Sequence, residues 1–319
     1  MRRADDPSVI TRRLAAAWLA AGAAWAPSAL SARAQTPAAT PVTPSSTVKA
    51  QEATLRMTVP VLIDGKGPFQ FIVDTASNRT TISAELADAL ALPSAGQVVV
   101  DSATGRGPAA SVKVDRMQVG PRDVSDLRLP VFLRENIGAD GLLGIDALGE
   151  QNIVMDLRAK RMTIEPSTRT SDPNDIVITA WSQYGQLVLV DASIDNEALF
   201  VVIDTGGEVS IANSRLRQMI YRQRLKNAAQ GQVIGVSGVI ANADFDILPR
   251  VKLGGVVMTN LQVAYADVHA FERFGLKNKP AMLLGMDLLR HFDRVSVDFK
   301  AKRVRFLLPR DAPYLPSND

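Results

Sequence analysis

The chain has no cysteine, only two histidines (His269 and His291), and aromatic residues at 5% of its 319 positions. Without thiols there can be no disulfide, thiolate nucleophile, cysteine-based metal site or lipidated cysteine anchor. Two histidines cannot build a multi-histidine metal centre, and a Ser-His-Asp triad would have to use one of them. Excess charge is scarce as well. The formal net charge is +3, and the first 34 residues alone carry five arginines (Arg2, Arg3, Arg12, Arg13, Arg33) against Asp5 and Asp6, also +3. The remainder is formally neutral. It shows no basic patch interleaved with aromatics, so a nucleic-acid partner is not expected. No metal and no cofactor are expected either.

What is present is enough apolar material, 46% of the chain, to bury a sizeable core. The length suggests about two domains of roughly 100–200 residues. Ahead of them, arginine-rich residues 1–13 precede an apolar run, Leu14 to Ala24, and then Ala32-Arg33-Ala34 before Gln35. This is the three-part pattern of a secretory signal peptide over residues 1–34. The apolar run is shorter than the roughly 20 residues of a membrane span, so export to the periplasm or beyond is expected, with an uncleaved anchor as the alternative. Arg12-Arg13 raises a twin-arginine route, but the residues after it match that signal poorly. Residues 35–52, rich in Pro, Thr, Ser and Ala at their start, read as a flexible linker.

The rest reads twice. Leu62-Ile63-Asp64-Gly65 and Pro68-Phe69-Gln70-Phe71-Ile72-Val73-Asp74-Thr75-Ala76 recur as Ser193-Ile194-Asp195-Asn196 and Leu199-Phe200-Val201-Val202-Ile203-Asp204-Thr205-Gly206. Placing Asp74 on Asp204 sets the offset between the halves. Further on, Gly141-Leu142-Leu143-Gly144-Ile145-Asp146 recurs as Met282-Leu283-Leu284-Gly285-Met286-Asp287, and there the offset has grown. The second half therefore carries insertions, one of them expected in a helical segment around Leu216 to Gln230. Two motif pairs in the same order indicate internal duplication. The boundary falls in the polar stretch Pro166 to Asn174. The expected lobes are 53–168 and 176–309, with a tail at 310–319.

Short β-branched or alternating runs separated by Gly, Pro, Asn and Asp predict an all-β fold. They include Met57–Ile63, Phe69–Val73, Ser111–Val119, Ile153–Leu157, Leu187–Ile194, Leu199–Ile203, Ala243–Leu253 and Leu261–Tyr265. Helices are expected at Ala84–Leu90 and after each Leu-Leu-Gly, where Asp146 and Asp287 read as helix caps.

Each Asp-Thr-small triplet follows a continuous apolar run, as expected of a strand covered on both faces. An aspartate there is costly unless it is paired or functional. Ala76 and Gly206 are small enough for another segment to approach closely. A duplicated fold brings equivalent positions together at its pseudo-two-fold axis. Two facing carboxylates cannot both ionise, so they share a proton. One can then take a proton from water while the other donates to a carbonyl oxygen.

With these residues the chain resembles the retropepsin-like and pepsin-like aspartic proteases, specifically the bacterial exported kind with two retropepsin-like halves on one chain. The resemblance covers residues 53–309. It implies two duplicated β-barrel lobes with short helices and an active site between them. It implies a polypeptide substrate and catalytic Asp74 and Asp204, with Thr75, Ala76, Ser77, Thr205, Gly206 and Gly207 supporting the active loops. The threonine hydroxyls would cross-link those loops, and the Leu-Leu-Gly elements would pack behind them. Ser77 stands where a hydroxyl often bonds the outer oxygen of the aspartate. Gly207 lacks that donor, so Asp74 should be the better hydrogen-bonded and more readily ionised. Hairpins at Val98–Val119 and Gln232–Val239, with Thr104, Gly105, Gly235 and Gly238 near their tips, would be the flaps that hold an extended peptide.

Plainer readings stand beside these. A lone Asp-Thr-Gly is common turn chemistry. His269 and His291 read as structural or surface residues, and Gly235-Val236-Ser237-Gly238 is not the elbow of a serine hydrolase. The alternatives to an active two-lobed monomer are a peptide-binding module that kept the cleft without cleaving, and two chains pairing as half-sized enzymes do.

Overall fold

The computed structural model describes residues 9–12 and 55–310, except 121, 169, 190 and 222–227. Val9–Arg12 (β1) pairs antiparallel with Val256–Thr259. The rest of the expected leader, the whole of the linker and the tail after residue 310 lie outside the described residues.

The first lobe contains β2 (Thr58–Ile63), β3 (Lys66–Val73), β4 (Thr81–Ser83), β5 (Ser94–Asp101), β6 (Arg106–Val119), β7 (Arg122–Phe132) and β8 (Gly141–Leu143). Hydrogen bonding runs β2-β3-β8-β4-β7-β6, and β6 returns to β2 to close a six-stranded barrel. β5 pairs only on the far side of β6, so the β5–β6 hairpin projects from the barrel.

Two hairpin strands, β9 (Asn152–Asp156) and β10 (Arg161–Glu165), follow, and then β11 (Ile176–Gln183) enters the second lobe. That lobe holds β12 (Gln186–Leu189), β13 (Ala192–Ile194), β14 (Glu197–Ala198), β15 (Phe200–Ile203), β16 (Ile211–Ala212), β17 (Ala229–Ile234), β18 (Ile240–Leu253), β19 (Val256–Tyr265) and β20 (Ala281–Leu284). The order is β12-β15-β20-β16-β19-β18-β13. Because β12 and β13 are successive pieces of one stretch, this is the ring of the first lobe repeated. β17 hangs on the outside of β18 as β5 does on β6.

The register repeats too. Val73 lies opposite Leu143 in a parallel pair, and Ile203 lies opposite Leu284 in another. The residues leading to each aspartate, Phe71-Ile72-Val73 and Val201-Val202-Ile203, are buried. Apolar side chains on consecutive positions can all be buried only where a strand is covered on both faces. Burying each of them contributes roughly 1.5–3 kcal/mol.

The last strands, β21 (Arg294–Asp298) and β22 (Arg303–Leu307), form a hairpin whose β21 pairs with β9 of the first half. The sheet β10-β9-β21-β22-β11 thus ties the two halves together. Its buried side includes Ile153, Met155, Val295, Val297 and Phe306, with the Phe292 and Phe306 rings 4.8 Å apart. Asp156 and Asp298 brace the two hairpin turns by accepting the Ala159 and Ala301 N–H groups at 2.8 and 2.9 Å.

Helices are short. They are α1 (Ala84–Ala89), α2 (Arg134–Ile137), α3 (Ile145–Leu148), α4 (Ser214–Ile220), α5 (His269–Arg273) and α6 (Met286–Leu289). Ser83 and Asn213, which stand at the same offset as the two aspartates, cap α1 and α4 by accepting the Leu86 and Leu216 N–H groups. The helix expected over 216–230 ends at Ile220, and Ala229 and Gln230 belong to β17 instead. Pairing with Phe245 and Asp244 of β18 claims them for the sheet. Asp146 and Asp287 do not cap α3 and α6. The N-cap positions are Gly144 and Gly285. Asp146 instead accepts the Thr80 hydroxyl, and Asp287 the Ser210 hydroxyl, each at 2.6 Å. They fasten the loop after each aspartate to the helix behind it.

Candidate active site

Asp74 and Asp204 emerge from the ends of β3 and β15 into one place between the barrels. Each is anchored from behind by the parallel neighbour strand. The Asp74 N–H donates to the Leu143 carbonyl at 2.9 Å, and the Asp204 N–H to Leu284 at 3.0 Å. The two loops then grip each other. The Thr75 hydroxyl donates to the Ile203 carbonyl and the Thr205 hydroxyl to the Val73 carbonyl, both at 2.6 Å. In return, Thr205 Oγ1 accepts the Thr75 N–H at 3.1 Å, and Thr75 Oγ1 accepts the Thr205 N–H at 3.3 Å. Both threonines are buried, so an unfilled partner on either side would be costly.

Three glycines are required here for close approach. A Cβ on Gly206 would overlap the Asp74 carboxyl group. A Cβ on Gly144 would lie 2.5–2.7 Å from the Arg79 backbone, and one on Gly285 2.8–3.0 Å from the Val209–Ser210 backbone. The Leu-Leu-Gly elements therefore lie directly beneath the loops that follow each aspartate. The Ile145 N–H donates to the Ser77 carbonyl at 3.0 Å, and the Met286 N–H to Gly207 at 2.9 Å.

The carboxylates are not equivalent. Asp74 Oδ1 accepts the Ala76 and Ser77 N–H groups at 2.8 and 2.9 Å. Asp204 Oδ1 accepts the Gly207 N–H at 2.8 Å, with a weaker pull from Gly206. The Ser77 hydroxyl, expected to supply a further bond to Asp74, donates to the Arg79 carbonyl instead, at 2.9 Å. The extra donor on the Asp74 side is thus main chain. Burial raises both carboxyl groups well above the usual range, opposed by these N–H donors and by the charge of Arg56. Arg273 adds to the opposing pull on Asp74, whereas the negative charge of Asp74 raises Asp204 further. Asp204 therefore holds its proton more tightly than Asp74.

Several residues of the site were not legible as such. Arg56 Nε stands 3.2 Å from Glu208, and its Nη1 donates to the Gly206 carbonyl at 3.4 Å. Arg273 of α5 lines the same cleft beside Asp74 and Asp101. The repeat could have placed Arg56 opposite Gln186, and Glu208 opposite Asn78, since both pairs share the offset of the aspartates. Which of these touch across the lobes is a matter of three-dimensional closure.

The cleft has a volume of about 320 Å³ and is roofed by two hairpin tips. The β5–β6 tip spans residues 102–105, and the β17–β18 tip spans 235–239. Thr104, Gly105 and Gly235 meet where these tips touch, and Gly238, at φ +76°, turns the second one beside Asn136. Ser102 and Ser237 hydroxyls are 2.9 Å apart, and Thr104 Oγ1 donates to the Val239 carbonyl at 2.8 Å. A Cβ on Gly235 would collide with the Thr104 hydroxyl. The first tip also rests on α5, through the Ala270 N–H to the Ala103 carbonyl and through His269 Nε2 to Asp101, both 3.0 Å.

Chemically, the arrangement is a pair of desolvated carboxyl groups at the floor of a roofed, partly apolar groove. Compared with known proteins, the chain matches a family model described as aspartyl protease twice, over residues 59–147 and 190–288. Among curated proteins, none matches the chain.

Proposed function

The chain belongs to the aspartyl protease family, and from that premise we propose that it is an endopeptidase of exported polypeptides in which Asp74 and Asp204 are the catalytic pair. That it is an aspartic-type peptidase follows from membership of the family by both halves. The finer reading rests on one observation above all. The reciprocal bonds between Thr75 and Thr205 hold the two aspartate loops face to face about the internal two-fold.

In this reading the pair carries one proton, and the two carboxyls titrate as a unit. The ionised member takes a proton from a water molecule while the protonated member donates to the substrate carbonyl oxygen. The water oxygen bonds to the carbonyl carbon, giving a tetrahedral gem-diol. The carboxyl that now holds the proton passes it to the amide nitrogen while the other takes one from a gem-diol hydroxyl, the C–N bond breaks to give a carboxylic acid and an amine, and the pair is left singly protonated again. The better-supported Asp74 is the member that favours the ionised form. The raised carboxyl range keeps the shared proton in place at a higher pH than an ordinary carboxylate near 3.9 would. Activity is therefore expected from mildly acidic pH upward, and is lost as the second proton leaves.

The extended substrate lies in the groove beneath the two hairpin tips, adding main-chain hydrogen bonds to them. The protein acts as a monomer because both halves of the site are on one chain. The leader over residues 1–34 sends it across the cytoplasmic membrane. Cleavage of an unbiased peptide library by the protein, compared with Asp74→Asn and Asp204→Asn, tests the reading. Each variant should lose activity by about three orders of magnitude or more. Parental activity in either one would rule out the shared-proton pair.

A further inference from the structure

The internal two-fold places Arg56 opposite Gln186 and Glu208 opposite Asn78, at the offset that relates Asp74 to Asp204. On one side an arginine meets a carboxylate, Arg56 Nε to Glu208 at 3.2 Å. On the other side there is no carboxylate to meet. In the amide orientation that satisfies both its ends, Gln186 accepts the Asn78 N–H at 3.2 Å and an Nη2 hydrogen of Arg273 at 3.1 Å. A guanidinium has thus reached this side as well, but from α5 and with no carboxylate in direct contact, the charges of Asp101 and Asp74 acting on it only from a distance.

Arg273 is half-buried, lines the cleft, and holds its guanidinium 5.6 Å over the centre of the Phe274 ring. No carboxylate among the described residues forms an ion pair with it. The acid that could have done so, Asp101, is engaged by His269 at 3.0 Å and Arg106 at 3.6 Å. A guanidinium has five N–H donors in a planar fork that matches a carboxylate bidentately. A half-desolvated cation facing a substrate groove gains most from a ligand that brings a carboxylate into direct contact with its fork.

We propose that Arg273 is a specificity-determining residue: it receives a carboxylate of the substrate, on an acidic side chain or at a peptide C-terminus, in the part of the cleft related by the two-fold to the Arg56–Glu208 pair. The assignment rests on the peptidase reading above, because it needs a peptide in this groove.

Matched peptides test it. A single Glu or Gln is walked along a cleaved sequence, and each peptide is made with a free and an amidated C-terminus. The ratio of kcat/KM for Glu over Gln should reach about tenfold at one position, carried mainly by KM. That ratio should collapse to near one in Arg273→Gln, invert in Arg273→Glu, and persist in part in Arg273→Lys. A merely structural arginine would lower all peptides together and leave the ratio alone. If the free C-terminus carries the preference instead, the amidated peptides lose it, and the carboxylate is terminal. The same peptides are also titrated into the Asp204→Asn protein and read by fluorescence anisotropy, which separates binding from turnover. A Glu-to-Gln ratio near one everywhere with no loss on amidation, or a preference that survives Arg273→Gln, overturns the assignment. Absence of turnover with Arg273-dependent binding intact would overturn the peptidase mechanism alone.

Discussion

Beneath Asp74 lie Gly144 and Thr80. Beneath Asp204, at the related positions, lie Gly285 and Ser210. Both pairs make the same bonds, the glycine N–H to the hydroxyl at 3.1 and 2.9 Å, and the hydroxyl to Asp146 or Asp287 at 2.6 Å. Beside the aspartates the lobes diverge. One flank has Arg56 with Glu208, and the other has Gln186 with Asn78 and Arg273. One loop has Ala76, while the other has Gly206 pressed against the opposite carboxyl group. The support that fixes where the carboxylates sit has stayed symmetric, because both must be delivered to one axis. The groups that decide which carboxylate ionises, and what lies next to it, have been free to differ.

The comparison can be broken first at the small residue of each triplet. Gly206→Ala puts a methyl group into the Asp74 carboxyl and should lower kcat/KM by about a hundredfold through misplacement. Ala76→Gly, the mirror change, removes a methyl with no such collision and should stay within severalfold. Equal losses in steady-state kinetics would mean that the two loops are interchangeable after all. Next come the threonines, where symmetry should hold. Thr75→Val and Thr205→Val each remove one donated and one accepted bond across the axis. Each should cost about 2 kcal/mol of unfolding free energy, with both values alike in urea titrations. A large difference between them would show that one lobe carries the grip. The smallest effect is expected at Ser77. Since its hydroxyl serves the Arg79 carbonyl, Ser77→Ala should leave the pH–rate profile in place. A displaced profile would return the asymmetry to the hydroxyl.

Much of this site is legible in the chain because duplication writes it twice. Asp74 and Asp204, their threonines, and the glycines of both Leu-Leu-Gly elements all stand in matched motifs after apolar runs. Hydrophobic pattern also marks most of the barrel strands. What is not legible depends on closure between segments far apart in sequence. Glu208 finds its partner only when Arg56, from the very start of the other lobe, is brought against it. The sequence points the Ser77 hydroxyl at Asp74, and only the local path of the loop turns it to the Arg79 carbonyl. Arg273 lies in a segment that has no matched motif, so the repeat draws no attention to it. The segment after Ile220 reads as helix by composition, yet the free edge of β18 takes Ala229–Ile234 as a strand.

The fastening of one hairpin tip to the other, Ser102 to Ser237 and Thr104 to the Val239 carbonyl, makes the closed protein a competitor of its own substrate. A peptide that draws on these groups must first displace the bonds between them. Displacing two such bonds, at about 1 kcal/mol each, lowers apparent affinity by roughly thirtyfold relative to tips that do not touch. Well-made substrates recover that loss when their main chain takes over the groups the tips release. Short or poorly matched peptides do not, so the roof acts as a threshold on what is worth admitting.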